Sequence, residues 1–401
     1  MDAATLIREY LLLGLRFDRI EDGYVDSFTG DPALRQQVQN EPAPDPADLA
    51  HQAERLAAEV PHADGLDRAR ADYVTAHLRA LACAGRKFAG QDVGFVDEVE
   101  AYFDVHIAKG DPDQYLQAHR KLDVALGGSG PLAERMAAYR AGDEIPPERL
   151  EEAIHAFSSA LRDRVRAEYP LPDTETITYE VVTDKPWSGF NYYLGDYRST
   201  VAVNADLKQQ MSNLPRLVAH ESYPGHHTEH CRKEAGLVEG KGHTEQTIFL
   251  VNTPQCLMAE GLADLALYAA IGPNWGCWAA EIYADLGLRF DGERAEAMSE
   301  AAAALADVRQ DAALMLHDER RDVDDVVDFL KRWLLVNDER ARQMLRFLSS
   351  PLWRAYTSTY VEGYRLLRGW LEGRPDGVSL TARFGRLLDE PLIPSALRNV
   401  G

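Results

Sequence analysis

His220-Glu221-Ser222-Tyr223-Pro224-Gly225-His226-His227 is the stretch on which the reading of this chain turns. Two histidines beside a carboxylate can hold a divalent metal and leave a base for activating water. The usual zinc-hydrolase form is H-E-x-x-H on one helix, with ligands at i and i+4. Here i+4 is Pro224, so the spacing departs from that form. Pro224 lacks an N–H and its ring crowds the carbonyl of His220, while Gly225 tolerates unusual dihedrals. On an ideal straight helix His226 lies roughly 240° around from His220, and His227 falls about 20° off the same face. If Pro224 and Gly225 loop out, His226 takes the place of the second histidine. The Pro-Gly chemistry favours His226, with His227 as the alternative that a straight helix presents.

Working outward, five of the twelve histidines lie between His220 and His243. A hydrolytic zinc typically has three protein ligands and one open position. The third ligand must come from elsewhere, and Glu260, in Met258-Ala259-Glu260-Gly261-Leu262-Ala263-Asp264, is the best candidate. Gly261 and Ala263 would let that helix pack closely on a neighbour. Asp264, one turn on, could hydrogen-bond a ligand histidine. The competing reading is a solvent-facing Glu/Asp pair on a packed helix. His243 and Glu245 are rival ligands in a loop-like stretch, and His230 follows His226 by one turn.

The 401 residues carry a formal charge of −22, which argues against nucleic-acid and anionic-membrane partners, since phosphate contacts need a basic surface. An apolar fraction of 45% with 27% charged residues is ordinary for a soluble globular protein. Four cysteines without a CxxC pair suggest reduced thiols in a cytoplasm rather than a disulfide framework. The apolar run Tyr10 to Leu15 is too short to span a bilayer and lacks a signal-peptide layout.

The expected fold is mainly α, a large helical unit with a small antiparallel sheet near residues 175–204. A helical N-terminal region, 1–168, leads into a helical metal-binding region, 169–401, as one continuous unit. Helices are expected at 4–20, 46–60, 64–84, 93–108, 113–124, 130–141, 148–168 and 206–220. Further ones are expected at 245–271, 275–287, 291–317, 323–334, 338–347 and 352–372. The proline-bearing stretch 30–48 reads as a loop. β-branched and aromatic runs at 176–182, 189–193 and 199–203 read as strands, with Gly189 and Gly195-Asp196 near the turns. Tyr192, Tyr193, Tyr197 and Arg198 could meet extended substrate there, though packing the sheet is the plainer role. Arg365 and Arg368 could bind a substrate carboxylate, though surface arginines are the plainer reading.

Read as H-E-x-x-P-G-H-H, His220 to His227 resembles the signature of the bacterial DUF885 family, whose members are similar to gluzincin-type metallopeptidases. Glu260-Gly261-Leu262-Ala263 resembles that family's E-G-x-A segment. Pro351 with Thr359-Tyr360-Val361-Glu362-Gly363-Tyr364 resembles its P…s-Y-x-x-G-y segment, and Phe384 with Leu387-Leu388 and Pro391-Leu392 its closing one. The resemblance covers roughly 170 to the C-terminus. It implies that the helical unit is metallopeptidase-like, with His220, His226 and Glu260 as ligands of one Zn2+ per chain, Glu221 as general base and Tyr360 as oxyanion donor. Two features depart from the family: the chain is short, and Gly385 stands where a histidine commonly follows the phenylalanine. The expected activity is zinc-dependent hydrolysis of a peptide or small amide. The alternatives are a non-catalytic metal-binding or scaffold protein, and a small-metabolite amide hydrolase with the same site.

Overall fold

The computed structural model describes residues 1–185 and 187–398. The fold class is as the sequence indicates, mainly helical with a small sheet. Helix Ala3–Asp18 shows how local chemistry builds it. Asp2 caps the N-terminus by accepting from the Thr5 amide at 2.8 Å, and Leu6, Tyr10, Leu13 and Phe17 recur at helical spacing with no solvent exposure. The apolar run Tyr10 to Leu15 is thus the buried centre of this helix. Asp45, Asp67 and Asp111 cap helices Pro46–Glu59, Arg68–Phe88 and Pro112–Leu126 in the same way. The acidic stretch at 322–325 opens helix Val323–Leu334, with Asp324 and Asp325 in its first turn, where negative charge suits the dipole.

Five strands occur among the described residues. β1 (Val25–Phe28) pairs antiparallel with β5 (Ile248–Leu250). β2 (Thr176–Val182), β3 (Gly189–Gly195) and β4 (Arg198–Asn204) form a sheet ordered β2-β4-β3. β3 and β4 make an antiparallel hairpin through Asp196 and Tyr197, both at positive φ. The expected antiparallel arrangement is corrected at β2. The chain passes from β2 to the far edge before returning as β4, so β2 and β4 run parallel, with Thr176 opposite Arg198.

Other segments also differ from expectation: the helix expected at 206–220 starts only at Leu214, and residues 352–356 are turn ahead of the helical stretch that ends at Glu372. Pro32–Gln39 is helical, because Asp31 caps it onto the Ala33 amide and Pro32 occupies the first turn, where its missing N–H costs nothing. Residues 248–250 are a fully buried strand, and helix Pro254–Asp264 starts only after Thr253. Every residue of that helix from Pro254 to Ala263 is buried. One apolar cluster runs from Leu6 to Leu397 and surrounds it.

Candidate metal centre

Helix Leu214–Glu221 stops at the motif. Ser222 to Gly225 form a loop with a cis Tyr223–Pro224 bond, and helix His226–Lys233 begins immediately after. The Gly225 amide donates to the Ala219 carbonyl at 3.0 Å, folding the loop back on the helix it leaves. A methyl group on Gly225 would fall 1.9 Å from the His220 carbonyl oxygen, so only glycine fits this approach.

The consequence is that His226, not His227, stands beside His220. Their rings meet edge to face with centroids 4.7 Å apart. Glu260 reaches both from the buried helix: His220 Nε2 lies 3.3 Å from Oε2, and His226 Nε2 lies 3.8 Å from Oε1. One ligand-type atom from each of the three side chains lies within 4.8 Å of the others. Tyr356 donates to Glu260 Oε1 at 2.7 Å, while Oε2 is buried without a hydrogen-bond partner. Two imidazoles and a carboxylate with a spare oxygen match the donor set of a divalent transition metal. Asp264 Oδ1 lies 3.2 Å from His220 Nδ1, orienting the ring so that Nε2 faces the cluster.

Glu221 is buried next to His220. Asn191 of β3 donates to its backbone carbonyl at 2.6 Å, and Gly189 faces its side chain, where a methyl group would come within 3.1 Å of Oε1. Burial pushes the Glu221 carboxyl up to about 7, against the His220 charge and reinforced by Glu260 and Asp26. Tyr360 is half-buried, edge to face with Tyr356 at 5.8 Å. Burial and the Glu260 charge hold its phenol well above the usual value.

The other sequence candidates fall elsewhere. His227 is fully buried and turned away, with Nδ1 2.8 Å from Ser199 Oγ and Nε2 3.0 Å from Glu175 Oε2. Glu245 is held by Arg70 through two 2.7 Å contacts, and His243 lies outside the cluster. His230 stacks on Tyr193 at 4.4 Å. Arg365 pairs with Glu362 and Asp307, and Arg368 with Glu372. Tyr193 and Tyr197 donate to Glu234 and Glu239.

Two site residues escaped sequence reasoning. Tyr356 was visible only as a tyrosine one turn before Tyr360. Asp26 of β1 is half-buried near Glu260 and Glu221, and burial followed by the Glu260 charge pushes its carboxyl up to about 7. Nothing in a four-residue strand at the other end of the sequence signals that placement.

No family model matches the chain, and no curated protein matches it. Among solved structures, the chain is similar to a protein from Colwellia psychrerythraea provisionally named a lipoprotein. The TM-score is 0.53 at 14% identity, over 91% of this chain and 68% of that one. It also aligns with the M32 carboxypeptidase from Deinococcus radiodurans R1 at TM-score 0.37 and 12% identity, over 96% of this chain and 88% of that one. The first likeness is one of fold, and the second is too loose to carry an argument. Among the described residues no helix is long and apolar enough to cross a membrane. What fold and site together establish is a large helical protein with a buried His-His-Glu cluster able to coordinate a metal ion.

Proposed function

We propose that this protein is a zinc-dependent hydrolase that cleaves peptide or small amide bonds, with His220, His226 and Glu260 holding one zinc ion. The observation that carries this reading is the convergence of those three side chains around a buried carboxylate oxygen with no hydrogen-bond partner. The motif resemblance to DUF885 supports the finer assignment. When bound, the metal would polarise the scissile carbonyl and acidify water.

The protein's own groups supply the rest. Glu221, with a carboxyl near 7, is poised to take a proton from the attacking water and return it to the leaving nitrogen. The Tyr360 hydroxyl donates to the carbonyl oxygen as it gains charge. A base is unnecessary for holding metal, so the carboxylate at Glu221 favours turnover over a scaffold role. With all four cysteines unpaired, a reducing compartment such as the cytoplasm is the setting we propose.

The test joins metal content to turnover. Protein purified without chelators should carry about one zinc per chain, as such a three-ligand site requires. Glu221→Gln should keep that metal and the fold while losing roughly 10²–10⁴-fold in turnover on a peptide and acyl-amide panel. Well under half an equivalent after zinc reconstitution would remove the basis for the mechanism. Full activity of the variant would assign the base elsewhere.

A further inference from the structure

The loop between helix Pro112–Leu126 and helix Leu132–Gly142 contains Gly127-Gly128-Ser129-Gly130. Gly127, Gly128 and Gly130 take positive φ, at 60°, 79° and 101°. Nothing lies within 4 Å of where a side chain would begin at Gly127 or Gly130, so these glycines serve the backbone and not packing. Arg135 holds the loop from one side. It donates to the Gly127 carbonyl at 2.6 Å and the Gly130 carbonyl at 3.2 Å, and pairs with Asp123. In a trans peptide the N–H points opposite to the C=O, so the Gly128 amide is turned away from Arg135. Neither it nor the Ser129 amide meets a backbone carbonyl among the described residues.

This loop forms one wall of a cavity of about 770 Å³, within the usual range for small-molecule sites. The charged residues of its lining are Arg135, Arg289, Arg294, Asp143 and Asp291. That is three cations to two anions, in a chain where acids outnumber bases 65 to 43. Arg294 is held in place but not saturated. It donates to the Leu126 carbonyl at 2.9 Å and lies over the Tyr139 ring at 5.3 Å, while its Nε is buried with no hydrogen-bond partner. Arg289 is exposed, next to Phe290 of the same lining. Each aspartate is engaged through one oxygen: Asp143 Oδ2 accepts from the Ser212 amide and hydroxyl, and Asp291 Oδ1 accepts from the Arg294 amide at 3.1 Å. Unspent amides and guanidiniums suit the oxygens of a phosphate, and spare carboxylate oxygens suit hydroxyl donors.

None of the lining residues belongs to the His-His-Glu cluster. Met211 reaches the cavity three residues before helix Leu214–Glu221 begins. His220 stands at the other end of that eight-residue helix, about 12 Å along its axis.

We propose that this cavity binds a phosphorylated small molecule bearing hydroxyl groups, of the sugar-phosphate class. The Gly128 and Ser129 amides, with Arg289 and Arg294, take the phosphate, and Asp143 and Asp291 take the hydroxyls. The site is separate from the metal centre and requires no hydrolase activity.

Calorimetric titration of the zinc-loaded chain with ribose 5-phosphate, ribose and inorganic phosphate tests it. Ribose 5-phosphate should bind roughly tenfold or more tightly than either of the other two. Arg289→Met should weaken that binding roughly tenfold, the scale of one lost hydrogen bond to a charged group, and Arg289→Lys should restore part of it. Arg294→Met should weaken it at least as much. Thermal melts check folding. Arg289 is exposed, so its variants should melt like the unmodified protein, and they carry the test even if Arg294→Met does not fold. A phosphate held by the zinc instead would bind Arg289→Met unchanged, and that result would overturn the proposal. So would ribose or inorganic phosphate binding as tightly as the ester, or no binding of ribose 5-phosphate at all.

Discussion

At the scale of single residues, the two tyrosines four positions apart have different surroundings. The Tyr356 hydroxyl donates to Glu260 Oε1 at 2.7 Å, whereas the Tyr360 hydroxyl makes no hydrogen bond among the described residues. A donor used only on the charged oxygen of the transition state should affect rate more than binding. Tyr360→Phe should therefore lower kcat by about 10²-fold with little change in KM. Tyr356→Phe should instead weaken metal retention, by roughly 10–100-fold in affinity, as loss of a group that orients a ligand does. A Tyr360→Phe variant altered only in KM would make that residue a substrate contact. Sequence reasoning could see much at this scale. The clash between proline and helix at 224 favoured a loop, and the structure brings His226, not His227, to His220. The tyrosines were harder to separate, because their difference lies in which one reaches Glu260, and no local pattern encodes that.

At the scale of elements, the site depends on how closely two backbones approach. A methyl group on Gly261 would fall 2.5 Å from the Gly363 carbonyl carbon, and one on Gly363 would fall 2.5 Å from the Leu257 carbonyl oxygen. Helix Pro254–Asp264 and the π-helical turn Thr359–Gly363 thus touch through bare backbone, one residue after Glu260 and three after Tyr360. Gly261→Ala should force them apart, costing about 1–3 kcal/mol on the scale of overpacked cores. Metal retention and turnover should fall along with the melting temperature. A variant that is destabilised but keeps full activity per folded molecule would show that this contact supports the fold and not the site. The small residues beside Glu260 already pointed to close packing in the sequence. Where element reading failed, the reason was local competition. Pro32 acted as a helix start rather than a breaker, and the apolar run at 248–250 matched helix and strand alike. The parallel pairing of β2 with β4 followed from a crossover, which strand composition does not record.

At the scale of the molecule, the histidine loop is tied to the N-terminal helices through one buried carboxylate. Glu175, just before β2, accepts from Arg162 at 2.8 Å and Arg166 at 3.2 Å on helix Leu150–Glu168, and from Tyr223 at 2.9 Å in the loop. It also contacts His227 at 3.0 Å, whose other nitrogen meets Ser199 of β4 at 2.8 Å. His227 turns toward this junction, while His226 faces His220 and Glu260. Burial alone would raise the Glu175 carboxyl, but hydrogen bonds from His227, Arg162 and Tyr223 outweigh it and hold the carboxyl at about 2. A carboxyl depressed on folding stabilises the native state above its unfolded pKa, roughly 4.3 for glutamate. That contribution fades as pH falls through the unfolded value toward about 2. Glu175→Gln should thus be less stable at pH 7, on the order of 2 kcal/mol for lost hydrogen bonds to a charged group. The gap between the two proteins should narrow steadily below about pH 4.3, where the native glutamate begins to lose its advantage. Denaturant melts at pH 7, 5, 4 and 3 measure it. A gap that stays constant across that range would mean that Glu175 holds the loop by shape and not by charge.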